Sequence, residues 1–415
     1  LVRSKNPARV LPRFVFVLLV CLLGVAPLGA QEAIAAEKVP IPFVEWFAAG
    51  DRTDIPWSVE VGQSALTFHQ RMRVTLRVVV PRSLQKTSVR RELHLITKLA
   101  NSEGRWLTGE GFRRAELDKP LPRSAELVFS QTMFVRPGDY TLGILLYDRV
   151  TGQRSVTRRR LRIPSVGNDP LPDAARNLPV VEFHDVTEGL DAYFHPELTG
   201  RLHLPAQTRQ RVHVEVIANL SVTHEAAGLR RYQAANLSVL LPTLRVLSHL
   251  DLPNGSLALT ALDLDSRRVL FEQQNVRRMD WPALKEAVEK KQAGVVDIKD
   301  MEARRERAAF FRTFLEERLA GAAGRPPAGG DDPLRVFIVV GSGILFPSGS
   351  NLQPITPPED CRCRVYYLQY FVGRVNFWDQ LFNLMKPLRA KRFQVTTPRD
   401  MRRALANLLA DLRAL

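Results

Sequence analysis

The chain has 415 residues, 45% apolar and 25% charged, with 24 glycines and 28 prolines. These proportions exclude a wholly disordered, collagen-like or linker-like polypeptide and leave room for two or three domains. Three cysteines exclude a disulfide-dense scaffold. The net charge of +16 is the extreme value, compatible with nucleic acid, an anionic polymer or a membrane surface as partner.

Residues 1–30 read as an export signal. Arg3, Lys5, Arg9 and Arg13 stand without an acid, and Phe14–Ala26 follows as an apolar run. Pro27-Leu28-Gly29-Ala30 offers a small-residue cut, with a second at Ala33-Ile34-Ala35. The run is shorter than the ~20 residues of a spanning helix, the alternative being an uncleaved anchor. Cys21 lacks the small residues that should precede a lipidated cysteine. An exported, periplasmic or extracellular protein cut near Ala30 is expected.

Residues 31–65 form a lead-in with no sustained period. From Leu66 the grammar is alternation: Met72, Val74, Leu76, Val78 and Val80 share one face, and Arg71, Arg73, Thr75 and Arg77 the other. A period of two predicts a half-buried strand. Further strands are expected at Leu93–Leu99, Ala125–Val135, Tyr140–Leu146 and Arg154–Ile163, with turns at Arg136-Pro137-Gly138-Asp139 and Thr151-Gly152. Strands between turns, with no helical period, predict a small all-β sandwich over residues 66–164. Its Pro-Gly-Asp-Tyr turn and following strand resemble bacterial immunoglobulin-like modules. Residues 165–205 carry five prolines, counting Pro205, and read as a linker with one short strand at Val180–Phe183.

From residue 206 strands and helices alternate. Strands are expected at Arg211–Asn219, Ser256–Leu264, Arg268–Glu272, Leu334–Val340, Val365–Phe371 and Arg392–Val395. Helices are expected at Leu229–Leu250, after Pro282, at Met301–Ala320, at Phe377–Met385 and after Thr397. The last has a threonine N-cap, proline in its first turn and Asp400 favourable to the dipole. This alternation predicts an α/β region with a doubly wound, mostly parallel sheet.

The order of elements over 206–415 resembles a von Willebrand factor type A (VWA) domain. Asn219-Leu220-Ser221-Val222-Thr223 stands where that family has Asp-x-Ser-x-Ser. Phe337–Val340 runs into Gly341-Ser342-Gly343, where the family commonly has Asp-Gly. The resemblance implies a divalent-cation site at the carboxyl ends of the strands. The chain departs from it: Asn219 replaces the first aspartate, Gly341 or Ser342 the later one, and residues 273–300 hold no threonine or serine. A mostly neutral cage cannot repay the cost of stripping water from Mg²⁺. The expectation is a degenerate, metal-free site at Asn219, Ser221, Thr223 and Ser342, with no cofactor. Glu225, Asp297 or Asp300 as substitute ligands is the alternative.

Gly341-Ser342-Gly343 is not a nucleophile elbow, and no histidine follows His249. Cys361-Arg362-Cys363 reads as a local disulfide or two free thiols, since two thiolates do not close a zinc site. No nucleic-acid module is recognisable. A non-catalytic binding or scaffold protein is expected, engaging a protein or an anionic cell-envelope polymer. Its binding residues are taken as Arg277, Arg278 and Arg374, on the carboxyl-end rim of the sheet. The alternatives are a metal-dependent VWA adhesion domain and a secreted hydrolase.

Overall fold

The computed structural model describes residues 41–81, 90–118, 126–184, 191–195, 198–221, 229–292, 304–323, 333–359, 361–371 and 379–415. The expected export signal lies outside them. The chain forms two compact units, Leu1–Glu45 and Trp46–Leu415, and every described strand belongs to the second.

After helix α1 (Phe43–Ala48) come nine strands: β1 (Arg52–Thr53), β2 (Ser58–Val61), β3 (Ala65–Leu66), β4 (Met72–Val80), β5 (Arg91–Ala100), β6 (Gly111–Leu117), β7 (Leu127–Val135), β8 (Gly138–Asp148) and β9 (Arg154–Ile163). A tenth, β10 (Val181–His184), lies in the proline-rich stretch. They form two antiparallel sheets, ordered β1-β9-β8-β5-β6 and β10-β7-β4-β2, with β3 on β4. Strand β4 buries Val74, Leu76 and Val78 and exposes Arg73 and Arg77. Its apolar face meets Leu93, Leu95, Leu142, Ile144 and Leu146 of the other sheet. Each such side chain, removed from water, contributes about 1.5–3 kcal/mol. Residues 52–65, read as a lead-in, carry β1, β2 and the start of β3 and so are part of the sandwich.

The outer face of the β8–β5 pair carries an aromatic clasp. Phe47 meets Trp106 edge-on with centroids 5.3 Å apart, and Trp46 lies 5.4 Å from Tyr147 under the Arg154 guanidinium. Gly143 makes room for it, since a Cβ there would stand 2.7 Å from the Trp106 ring.

The stretch read as a linker is built into the structure. It holds a 3₁₀ turn (Pro172–Ala175), β10 against β7, α2 (Asp191–Phe194) and β11 (Leu204–Pro205). Much of its described backbone is irregular, and buried arginines from three distant elements supply the missing donors. Arg71, beside β4, pairs with Glu182 and donates to the Gly200 carbonyl. Arg402 grips Asp169 at 2.5 and 2.7 Å and donates to the Leu171 carbonyl. Arg245 donates to the carbonyls of Leu198, Phe194 and His195 at 2.5–2.9 Å, its guanidinium 4.3 Å from the Trp281 ring centroid.

Beyond it lie β12 (Val212–Asn219), α3 (Leu229–Leu247), β13 (Leu250–Asp251), β14 (Gly255–Asp263), β15 (Arg268–Gln273), α4 (Trp281–Gln292), α5 (Arg307–Ala323), β16 (Leu334–Ser342), β17 (Cys363–Tyr370), α6 (Gln380–Met385), β18 (Lys391–Val395) and α7 (Pro398–Ala414). Pro242 sits inside α3. Helix α7 begins with the expected cap, a full capping box between Thr397 and Asp400. The six-stranded sheet is ordered β15-β14-β12-β16-β17-β18. One face packs with residues of α3 and α7, the other with residues of α5 and α6.

The expected fold class, a doubly wound VWA-like α/β sheet, is overturned for the molecule as a whole. Nine strand pairings among the described residues are antiparallel, against five parallel ones. The chain is mostly antiparallel β, with the sandwich as its larger β component. The physical reason is twofold. Short strands in the lead-in and the proline-rich stretch join the sandwich, and β15 turns straight back on β14 in place of a helical crossover.

Arg402 and Asp169 are 4% and 16% exposed, and Arg402→Ala leaves the half-buried Asp169 carboxylate and the Leu171 carbonyl without their guanidinium donor. It should cost about 1–3 kcal/mol in urea unfolding, whereas Arg403→Ala, which breaks the exposed pair with Asp400, should cost no more than about 1 kcal/mol. A second expected outcome concerns acid. His195 and His249 are each held down to about 3, chiefly by burial, with His184, Arg245 and Arg73 acting on the first and Arg201, Arg71 and Arg245 on the second. The unfolded chain takes up those protons from pH ~6.5 downward while the folded chain resists until about pH 3. Stability measured by thermal melts should therefore fall as pH drops across that window.

Candidate functional site

The parallel strands bring Asn219, Asp263, Ser342 and Tyr370 to one edge of the six-stranded sheet. Two of the predicted positions close into a small lock just past β12. The Asn219 Oδ1 accepts from the Ser221 amide at 3.0 Å. The Ser221 hydroxyl donates to Asp263 Oδ1 at 2.9 Å and accepts from the amides of Leu264 and Asp265 at 2.5 and 3.2 Å. A hydroxyl has one proton and two lone pairs, so all three of its positions are filled. Asp263 is engaged at both oxygens: Oδ1 also accepts from the Asp265 amide, and Oδ2 from the Ser266 hydroxyl at 2.5 Å. Ser221 and Asp263 are 2% and 1% exposed.

Asn219 packs against Gly341, where a Cβ would come within 3.3 Å of the Asn219 Cβ. Ser342 is buried at the end of β16, its carbonyl 3.4 Å from the Tyr367 hydroxyl. Thr223, Arg374, Glu225, Asp297 and Asp300 lie outside the described residues.

Sequence reasoning missed both buried carboxylates of this edge. Asp263 closes an alternating strand in Leu262-Asp263-Leu264-Asp265, a position where a strand-end acid could have been suspected. Asp379 caps α6, its Oδ1 accepting from the amides of Leu381, Phe382 and Ile344 at 3.1–3.4 Å. Burial raises its pKa against those donors. An Asp just ahead of Gln380–Met385 is a readable N-cap signal. Among the described residues no group of three or more His, Cys, Asp or Glu is placed to hold a metal ion.

Arg277 and Arg278 do not share this edge. Strand β15 runs antiparallel, setting Gln273 opposite Leu259, and the Val276 amide then bonds the Leu257 carbonyl. Both arginines are exposed at the amino ends of the parallel strands. The carboxyl-edge placement assumed that every strand points the same way, and β15 does not. Cys361 and Cys363 are disulfide-bonded at the start of β17.

No family model and no curated protein matches this chain. Among solved structures, a von Willebrand factor type A protein from Catenulispora acidiphila aligns at 9% identity over 49% of this chain and 43% of its own, with TM-score 0.23. This chain thus spans less than half of that structure. A family 123 glycoside hydrolase from Clostridium perfringens aligns at 10% identity over 82% and 73%, with TM-score 0.25. A β-glucuronidase from Bacteroides uniformis aligns at 8% identity over 76% and 36%, with TM-score 0.20. Likeness at this level carries no argument about fold or function. No described helix is long and apolar enough to cross a membrane.

The lock makes its own prediction. Asp263→Ala leaves the Ser221 hydroxyl without its acceptor and should lower stability by about 1–3 kcal/mol. Thermal melts of the unaltered protein in excess Mg²⁺ and in chelator should coincide. A cation held at a hundred times its Kd would instead raise stability by about 2.7 kcal/mol.

Proposed function

We propose that the chain is a non-catalytic binding protein that engages an acidic protein or an anionic polymer through the arginine edge of β9. One observation carries this reading. Arg158, Arg159, Arg160 and Arg162 are all exposed, and β1 covers β9 only at Ser155 and Val156. None of the four forms an ion pair among the described residues. Their charge adds locally, and a carboxylate-rich chain lying along the strand would meet several guanidinia at once. The filled hydrogen bonds of the Ser221 hydroxyl and the burial of both Ser221 and Asp263 support the non-catalytic part. This reading keeps the binding role and the anionic partner that the sequence suggested. It moves them from Arg277, Arg278 and Arg374 to the sandwich.

The test is retention on immobilised polyglutamate and polygalacturonate, with neutral dextran as control. Retention on the anionic matrices should fall steeply as salt rises. It should be lost in the Arg158→Glu, Arg160→Glu, Arg162→Glu triple variant, whose melting curve stays that of the parent. Equal retention of parent and triple variant, or equal retention on dextran, would contradict the reading.

A further inference from the structure

The disulfide between Cys361 and Cys363 has little to hold. It spans one residue, Arg362, and a cross-link stabilises a fold more the longer the chain that it closes. The backbone around it is fixed by other means. The Cys361 amide bonds the Pro358 carbonyl, and the Arg362 carbonyl accepts from the Arg335 amide, both at 3.1 Å. From Cys363 onward β17 is paired with β16, and from Tyr366 with β18 as well. The two Cα atoms stand 5.3 Å apart, at the usual disulfide distance. The hydrogen bonds that set this spacing do not involve the sulfurs, so dithiol and disulfide share one backbone.

The bond is also within reach from outside. Cys361 and Cys363 are each half-buried, and both line a groove of about 750 Å³ at the amino end of β17. Its other walls are the loop at Pro357–Glu359, the turn ahead of β18 and the end of α7. That volume admits a small thiol or a short peptide segment. The described charges along it are of both signs, Arg364, Arg389 and Lys391 against Glu359 and Asp411, and Asp360 lies outside the described residues. What the groove supplies to the bond is access, on which thiol–disulfide exchange depends.

We propose that Cys361 and Cys363 form a redox-active pair that exchanges with thiols, supplied either as two small thiols or as one peptide with two cysteines. An incoming thiolate attacks one sulfur of the bond, forming a mixed disulfide and releasing the other cysteine as thiolate. The second incoming thiolate then attacks the partner's sulfur in that mixed disulfide. The partner leaves as a disulfide, and Cys361 and Cys363 remain as a dithiol that has taken up the two electrons and two protons. One partner disulfide forms per chain, so the exchange is stoichiometric and compatible with a binding protein. The site belongs to the six-stranded sheet, and its test does not depend on the β9 reading.

The experiment treats the folded full chain with reduced glutathione and, separately, with a synthetic peptide carrying two cysteines, then blocks free thiols with iodoacetamide. Mass spectrometry of the peptide that holds residues 361–363 counts the blocked cysteines. Both should be blocked, at a rate in native buffer within about tenfold of that in concentrated urea, because accessible sulfurs need no unfolding to be attacked. The dithiol peptide should leave as its disulfide, one equivalent per chain. A rate that saturates with the peptide and not with glutathione assigns a peptidic partner, and linear rates with both assign a small thiol. Given oxidised glutathione, Cys361→Ser and Cys363→Ser should each keep a glutathione adduct on the remaining sulfur, whereas the reduced parent should return to its internal disulfide. The reduced parent should melt close to the oxidised one. Reduction in urea alone, or a large loss of stability on reduction, marks a purely structural bridge and would overturn the proposal.

Discussion

Three buried guanidinium groups, those of Arg71, Arg245 and Arg402, hold together what would otherwise be the weakest part of the molecule. The described residues between 165 and 205 contain little regular structure, so their carbonyls have few ladder partners. A buried carbonyl without a donor costs free energy. Arginine solves this, with five N–H donors on one rigid plane and a charge that burial does not remove. Each of these three side chains is 5% exposed or less, and each bonds at least one carbonyl of that stretch. Two of them also meet a carboxylate from it, Glu182 and Asp169.

The arrangement propagates. Glu182, held by Arg71, accepts from the amides of Thr199 and Gly200 at 2.9 and 2.8 Å. This ties β10 to the chain that leads into β11. Arg245 bonds the carbonyls of Phe194 and His195, and the His195 ring lies 2.7 Å from His184. Burial lowers the pKa of Arg71 and of Arg245 to about 10, with the charge of Arg245 adding to the effect on Arg71. Both therefore stay cationic at neutral pH, and His69, His195 and His249 are held below the usual imidazole range by burial first and by these charges second.

Much of the local structure was legible in the sequence. Strands such as β4 and β8 announce themselves because one face is buried and the other is not, which imposes the period of two. The α7 cap was legible because Thr397, Pro398 and Asp400 act within one turn. Strand β6 was missed: Arg113, Arg114 and Glu116 interrupt its pattern, and among the described strands it pairs only with β5. The proline-rich stretch was misread because its prolines are local while its stabilising donors lie 111 to 233 positions away for the Arg71–Glu182 and Arg402–Asp169 pairs. At the sheet edge, Asn219 and Ser221 were legible as a pair. Their partner Asp263 was not, because it comes from the neighbouring strand. The misplacement of Arg277 and Arg278 and the overturned fold class share a cause. Pattern reveals that a strand exists, while its direction depends on the turn that precedes it.

Amide hydrogen exchange across residues 165–205, resolved by peptide mass spectrometry, tests the arginine account most directly. The amides of Ala174, Leu178, Thr199, Gly200 and His203 each have an acceptor in this region. They should exchange slowly, on the scale of the central strand β12, and Arg245→Met should release the 194–200 portion first. Exchange of the whole stretch at the rate of an unstructured peptide would contradict the account.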